Sequence, residues 1–446
     1  MANNSKKSSS KKRNVKVSRN GTHTKIKTKA GTVTVKNNTA LKILIALVVI
    51  VLIAAIVLTV LHFTGKVDFK ALLHISENSS SQTNNGGNNS GGTNNGNQGK
   101  TDSNTGSLVT GSGELAIRYM DVGQGDGILI DLPDGKEMLI DCGCKGVTTP
   151  YATLKSTYLD KYVEDGIIEY LVLTHSDEDH VKYLDLIFDD FQISNVYMPY
   201  ILAAPTNTTL KDKISKLDQE KVNMFKDEDT IETAIYSKFF IAALSEPDCQ
   251  IHINADDDEN TTNNVINAED NTYSITFICP TYEFYQNTSL KNAHAKNAIS
   301  PVIILEYNTK RFVFTGDCNA YWDSKGNLKT TEGNEWFMTK RIKTLYGETG
   351  IDCDVLKVAH HGAEEASSIE FLSVINCEYA VISCGKNNTY NHPRNEALER
   401  IKSFNMVVYR TDLNGTVICV VGDDKEIKFS VEKESTQEEA YIGADS

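Results

Sequence analysis

The sequence predicts an α/β four-layer (αββα) sandwich, two sheets between outer helices, preceded by one transmembrane helix. Three observations lead there. Residues 115–422 divide into two strand-rich halves, each with helical segments to cover a sheet. A run of 21 residues, Ile43 to Phe63, carries no charge and is long enough to cross a bilayer as a helix. The charge is split: residues 1–70 hold fourteen Lys/Arg and one acid, Asp68, for +13, while the rest carries −27. A chain divided this way faces two environments, and its acidic part has no broad basic surface for nucleic acid. Collagen, a coiled coil and a multi-span transporter are excluded, because there is one long apolar run.

From the N-terminus, residues 1–42 form a basic cytoplasmic tail. Within it Val15–Val35 alternates Val, Thr and Ile with Lys. It reads either as a small hairpin turning at Asn20-Gly21 or as a basic strip facing lipid. About forty residues precede the span 43–63, and no small-residue cleavage site follows it, so it reads as an uncleaved anchor. The Lys/Arg cluster places the N-terminus in the cytoplasm and the acidic portion outside the cell membrane. Residues 64–113, mostly Ser, Asn, Gly and Thr from 78 onward, cannot build a core and read as a tether. The folded domain is expected over 114–434, with 435–446 as an acidic tail. Charged residues at 23% and hydrophobic ones at 40% are ordinary for a globular core.

In the first half of the domain, Leu115–Tyr119, Gly127–Leu132 and Glu137–Ile140 read as consecutive strands, with Pro133-Asp134-Gly135 as a hairpin turn. Tyr151–Val163 has helical spacing, Tyr170–Leu173 is a buried strand, Val181–Phe188 a helix, Asn195–Met198 a strand, and 205–245 largely helical. Asp256–Asn271 reads as an acidic, Asn-rich surface loop. The second half repeats the plan: strands at Ser274–Ile278, Val302–Tyr307 and Arg311–Thr315, a helix at Ser367–Val374, a strand at Tyr379–Ser383, a helix at Arg394–Ser403, and two closing strands within Val407–Val421. Nine cysteines, an odd number and several within apolar strands, read as buried thiols rather than a disulfide framework.

Chemistry is concentrated where strands stop. The apolar Leu171-Val172-Leu173 runs straight into Thr174-His175-Ser176-Asp177-Glu178-Asp179-His180. Two imidazoles and two or three carboxylates within six residues resist burial without a cation, and this donor set suits zinc, manganese or iron. The bland alternative is a solvated acidic loop; His at both ends after a buried strand argues against it. Asp317 follows Phe312-Val313-Phe314, where a carboxylate at a sheet edge can bridge two cations; a simple Gly-Asp turn is the alternative. His360-His361-Gly362 follows the strand Val355–Val358. Adjacent strand residues point to opposite faces, so one imidazole is expected to be a ligand and the other not. His392, before Pro393, is placed to give a proton or hydrogen bond to substrate, and Asp141 to orient ligands from behind.

These segments resemble a family. His175-x-Asp177-x-Asp179-His180 is similar to the His-x-His-x-Asp-His signature of the metallo-β-lactamase superfamily, in the form found in the hydrolase domain of ComEC-type competence proteins. Asp121-Val122-Gly123-Gln124-Gly125-Asp126 resembles the opening motif of that subgroup, and Leu139-Ile140-Asp141-Cys142-Gly143, Phe314-Thr315-Gly316-Asp317 and Asp354–Gly362 resemble later ones. Asn388-x-Tyr390-x-His392-Pro393 and Tyr409-Arg410-Thr411-Asp412 with Gly415 resemble the closing motifs, so the likeness covers about 115–422 in order. It departs in having Asp177 for the second His and no clear third-motif His before Asp317; Asn297 and Ser300 fit that stretch better than His294.

The resemblance implies hydrolysis at two divalent metal ions, zinc or manganese, which lower the pKa of a bound water. His175, Asp177, Asp179, His180, Asp317, His360 and His361 are the metal ligands it suggests, with Asp179, His392 and Asp126 assigned to catalysis. The implied substrate is a phosphodiester such as single-stranded DNA, and the implied setting is DNA uptake or processing. Two other classes fit the residues: a hydrolase of a small ester, lactone or β-lactam, and a non-catalytic surface-binding relative that has lost a metal. Gly123-Gln-Gly125 lacks the helix of a dinucleotide loop, Asp256-Asp257-Asp258-Glu259 lacks the spacing of a calcium loop, and there is no Gly-x-Ser-x-Gly elbow.

Overall fold

A computed structural model describes residues 16–20, 23–28, 31–36, 113–225, 230–289, 293–322, 328–329 and 334–444. The apolar run 43–63 and the tether, apart from Gly113, lie outside these residues. Among the described residues no helix is long and apolar enough to cross a membrane. The chain divides into two units, 1–99 and 100–446. In the first, Lys16–Asn20, His23–Thr28 and Gly31–Lys36 form an antiparallel three-stranded meander, with Asn20 opposite His23 across the first turn.

The second unit contains two large mixed sheets. The eight-stranded sheet runs, in spatial order, Gln250–Ile253, Gln192–Met198, Ile167–Val172, Glu137–Cys142, Gly127–Asp131, Leu115–Tyr119, Val417–Val421 and Ile427–Val431. The seven-stranded sheet runs Val265–Asn267, Tyr273–Ile278, Val302–Tyr307, Lys310–Phe314, Val355–Lys357, Tyr379–Ile382 and Val407–Arg410. Side chains alternate along each strand, and the alternation sorts them into three cores. Ile128, Ile130, Met138 and Ile140 of the first sheet meet Ile303, Leu305, Phe312 and Phe314 of the second between the sheets. Leu129 and Leu139 point outward onto Leu184, Ile187, Phe239 and Phe240 of helices Leu184–Asp190 and Ala234–Ser245. Ile304, Val313 and Leu356 point outward onto Met338, Ile342, Phe371 and Leu398 of helices Asn334–Tyr346, Ile369–Ile375 and Asn395–Ser403. Strands covered on both faces read as unbroken apolar runs, and this is why they were visible in the sequence.

Several elements differ from the sequence reading. Val407–Arg410 and Val417–Val421 are the two expected strands, but they lie in different sheets, and helix Thr411–Asn414 with Gly415 (φ 69°) carries the chain between them. The segment Asp256–Asn271 is not wholly a surface loop. Asp256 is fully buried and ion-paired with fully buried Arg341, and Val265–Asn267 is an edge strand. Residues 435–444 carry a capped helix, Gln437–Ala440, with Ala440 fully buried, and Arg410 donates to the carbonyls of Ala440 (3.2 Å) and Ile442 (2.5 Å). All nine cysteines are buried free thiols.

Both sheets deliver their parallel strands to one end. Glu137–Cys142 is parallel to Ile167–Val172, and Lys310–Phe314, Val355–Lys357 and Tyr379–Ile382 are mutually parallel neighbours. Their carboxyl ends lead directly into Asp141, His175, Asp317, His360 and Ser383. Groups from five strands therefore meet beyond the sheet ends, as ligand sites do in parallel α/β sheets.

Candidate metal centre

Asp317 is the centre of the arrangement. Thr315-Gly316 turns sharply after the strand, with Gly316 at φ 49° and its hydrogen facing the Thr174 side chain, where a Cβ would come within 2.8 Å. Four imidazole Nε2 atoms surround the Asp317 carboxylate: His180 at 3.1 Å, His360 and His361 at 3.6 Å, and His175 at 3.7 Å. In each ring the other nitrogen faces a different partner. His180 Nδ1 is 2.8 Å from Asp141 Oδ2, His361 Nδ1 2.8 Å from the Ser383 carbonyl, and His360 Nδ1 3.2 Å from Glu365 Oε1. His175 Nδ1 lies 3.1 Å from Thr174 Oγ1 and 3.4 Å from Ser300 Oγ. Carbonyls and carboxylates only accept, so the rings of His180, His361 and His360 carry a hydrogen on Nδ1 there and turn Nε2 inward.

Most of the inward atoms lack partners. Nε2 of His175, His180 and His361, Oδ1 of Asp317 and Oδ1 of Asp126 are all buried without a hydrogen bond. A cluster of unpartnered buried polar atoms is unstable by itself. Ligand atoms of His175, His180 and Asp317 lie within 4.8 Å of one another, as do those of Asp179, His180 and His361. The donor set and the missing partners fit divalent cations.

Electrostatics follow from this crowding. Burial pushes the Asp317 carboxyl up, but His180, His360 and His361 outweigh it and hold it well below the usual range. Burial opposes charge on His180, and Asp317 and Asp141 overcome it, raising that imidazole well above its ordinary value. Burial and the neighbouring His180 lower His175. Glu365 is held down to about 2 although burial opposes it, because of its hydrogen bond to His360.

Two sequence expectations change here. His360 and His361 do not lie on the strand, which ends at Lys357; both have left-handed backbones (φ 48° and 54°). The face-alternation rule no longer applies, and both imidazoles reach Asp317. Asp126 is 1% exposed, and its carboxylate meets buried Lys357 Nζ and lies 3.4 Å from His361 Nδ1 and 3.7 Å from His180 Nδ1. It sits behind the imidazoles and does not line the cavity. Burial raises its pKa, and Lys357 and His361 more than reverse this.

Asp177 is separate from the other expected ligands. Its carboxylate is 3.2 Å from Lys296 Nζ at the cavity rim and joins none of the clusters among the described residues. Asp179 lines the cavity, 3.7 Å from His361 Nε2. In the stretch without a third-motif His, Asn297 Nδ2 is 3.1 Å from His360 Nε2, and Ser300 Oγ accepts from the Asp317 amide at 3.2 Å. Asp141 (φ 55°) also accepts from Thr174 N (2.8 Å) and Thr174 Oγ1 (2.7 Å), so it aims the whole His motif. His392 closes the far side, its ring centroid 5.4 Å from that of His360. Asn388 clamps its backbone, accepting from His392 N at 3.0 Å and donating to His392 O at 2.6 Å. The cavity among these groups has a volume of about 220 Å³. Glu365 and the Ser383 carbonyl were not found from sequence; Thr174 and Lys357 stood inside recognised motifs but were given no role.

Residues 120–248 match the metallo-beta-lactamase superfamily. This chain carries a metallo-beta-lactamase domain. Within that superfamily it resembles the ComEC-type competence proteins. It is 23% identical to ComE operon protein 3 of Bacillus subtilis over 318 residues, 69% of this chain and 33% of that protein. It is 30% identical to Competence protein ComA of Neisseria gonorrhoeae over 136 residues, 30% of this chain and 17% of that protein. The chain thus spans about a third of the length of the first relative and less of the second. Among solved structures, the metallo-beta-lactamase fold protein YhfI of Bacillus subtilis aligns with a TM-score of 0.34 at 10% identity, over 71% of this chain and all of that one.

Proposed function

We propose that this chain is a membrane-anchored, metal-dependent hydrolase whose domain works outside the cell on phosphodiesters, with single-stranded DNA as the natural substrate class. The observation that carries the hydrolase reading is the convergence of four Nε2 atoms on Asp317 with Nδ1 of every ring engaged elsewhere. His175, His180, Asp179, His361, His360 and Asp317 would hold two divalent ions, zinc or manganese. When bound, such ions supply Lewis acidity and make water a nucleophile near neutral pH.

The chain's own residues prepare the rest. Asp141, Ser383 and Glu365 fix three ring orientations, which spares the site reorganisation during reaction. His392 is pushed down to about 3 by burial and by His361 and His360. It is neutral at physiological pH and offers a hydrogen bond to a substrate oxygen rather than a proton. The phosphodiester reading is supported by the likeness to competence proteins; anchoring and orientation rest on the charge-free run 43–63 and the basic tail before it.

The test is metal analysis of the full chain in detergent, with turnover of bis-p-nitrophenyl phosphate and nitrocefin. Near-stoichiometric metal with turnover of the phosphodiester alone is expected. Turnover of nitrocefin alone would move the assignment to amide hydrolysis. A second reading, a binding protein that has lost a metal, is favoured by the Asp177–Lys296 ion pair; one equivalent of metal without turnover of either substrate would select it.

A further inference from the structure

The cavity is lined by two unlike sets of groups. One is Asp179, Asp317, His360 and His361, the groups that would hold cations. The other is Gln124, Lys145 and Tyr390, none of which the metal-site reading uses.

Gln124 and Lys145 belong to a small antiparallel ribbon, Gly123–Gln124 with Lys145–Thr148, and are register partners. Directly opposed residues in such a pair project on the same side. Gln124 is 3% exposed, and its Oε1 accepts from the Gly385 amide at 3.0 Å. That bond settles which end of the amide is which. The Nε2 end is buried and has no hydrogen-bond partner, and Gln124 is among the residues lining the cavity. Gly385 packs against the ribbon so closely that a Cβ there would fall 2.5 Å from Gln124 N, so the amide is held in place. Lys145 is exposed, with its ammonium 5.0 Å from the Tyr390 ring centroid. Among the described residues it enters no ion pair. A buried donor without an acceptor calls for an oxygen, and the Lys145 ammonium beside it, hydrogen-bonded to Tyr390 and drawn toward Asp179 and Asp177, favours an anionic one.

We infer that Gln124 and Lys145 form the anion-recognition wall of this site, taking the non-bridging oxygens of a phosphodiester and selecting it over a neutral ester. Gln124 Nε2 donates to an oxygen of the reacting phosphate. Lys145, braced on Tyr390, neutralises the same or the adjoining phosphate at the mouth. This deepens the phosphodiesterase reading and rests on it. It also explains how an acidic domain can engage a polyanion: the positive contact is confined to one wall.

Two substitutions separate recognition from folding. Gln124→Glu keeps the acceptor for Gly385 and replaces the donor with an anion. Lys145→Met keeps an apolar stem over Tyr390 and removes the charge. In the metal-loaded full chain, equilibrium binding of a fluorescent phosphorothioate oligothymidylate is measured against salt, together with kcat and KM for bis-p-nitrophenyl phosphate and p-nitrophenyl acetate. Lys145→Met is expected to weaken oligonucleotide binding about tenfold and reduce the slope of log K against log salt by about one phosphate equivalent. Its effect on the phosphodiester should fall on KM. Gln124→Glu is expected to lower kcat/KM for the phosphodiester by about a hundredfold or more. Both should leave metal content near wild type and cost acetate hydrolysis much less than phosphodiester hydrolysis.

Wild-type oligonucleotide affinity in both variants, or equal losses on phosphodiester and acetate, would overturn the inference. If the wild type cleaves only the acetate while both variants still lose oligonucleotide binding, the phosphodiesterase reading fails and the anion wall stands. Wild-type phosphodiesterase activity in both variants fails the wall and leaves the phosphodiesterase reading intact.

Discussion

Asp317 and His392 sit on opposite sides of one cavity, and their substitution should separate metal binding from turnover. Asp317 is within 3.1–3.7 Å of four imidazole Nε2 atoms, so its carboxylate is shared by all four rings. Asp317→Asn keeps its size and removes that charge; Asp317→Ala removes both. Either is expected to lower metal content to one equivalent or less and to abolish phosphodiester turnover, with far-UV circular dichroism unchanged because the sheets are apolar. His392→Ala should keep wild-type metal and lose turnover by about a hundredfold, since its role is a hydrogen bond to substrate. Full metal in Asp317→Asn would remove Asp317 from its bridging place; metal loss in His392→Ala would make His392 a ligand.

At the scale of elements, two contacts hold the frame of the site. The loop after strand Glu137–Cys142 presses on the His motif at Gly143, where a Cβ would lie 2.3 Å from His180 N and 2.4 Å from the Asp179 carbonyl carbon. Backbone cannot yield as a flexible side chain does. Gly143→Ala is therefore expected to destabilise the domain by about 2–3 kcal/mol and to weaken metal binding, read by thermal melting and metal titration. On the outer layer, fully buried Glu335 of helix Asn334–Tyr346 accepts from the Ser367 amide and, at 2.7 Å, from the Ser368 amide at the start of the next helix. Burial raises its carboxyl to about 7. Its stabilising contribution is complete below the ordinary carboxyl range and is lost as pH rises through that value, since the unfolded chain ionises first. Urea denaturation should therefore show wild type weakening relative to Glu335→Gln between about pH 4.5 and 7. A constant difference across that window would show that Glu335 does not titrate there.

For the whole molecule, the placement of charge sets the expectation. With +13 before residue 71 and −27 after it, the basic end should stay in the cytoplasm and the metallo-beta-lactamase domain should face outward. Protease added to intact cells is expected to remove the domain and leave the basic tail, with immunoblots of both ends as the readout. A protected domain would reverse the orientation.

What the sequence determined by itself is local. Runs such as Leu171-Val172-Leu173 and Phe312-Val313-Phe314 declare doubly covered strands, and the polar residues directly after them declare where chemistry starts. Motif order was enough to name His175, Asp179, His180, Asp317, His360, His361 and Asp141, and the structure gathers all seven. Tertiary structure alone decided the rest. Whether Val407–Arg410 and Val417–Val421 pair depends on which sheet has a free edge, and no local pattern carries that. The part played by Ser383 is a backbone carbonyl, identical in every residue type, and Glu365 and Lys357 acquire their roles only from what folds against them. Asp126 and Asp177 look alike in sequence. One is enclosed behind the imidazoles by Lys357 and the other is drawn to the rim by Lys296, because a carboxylate goes where the packing places its counter-charge.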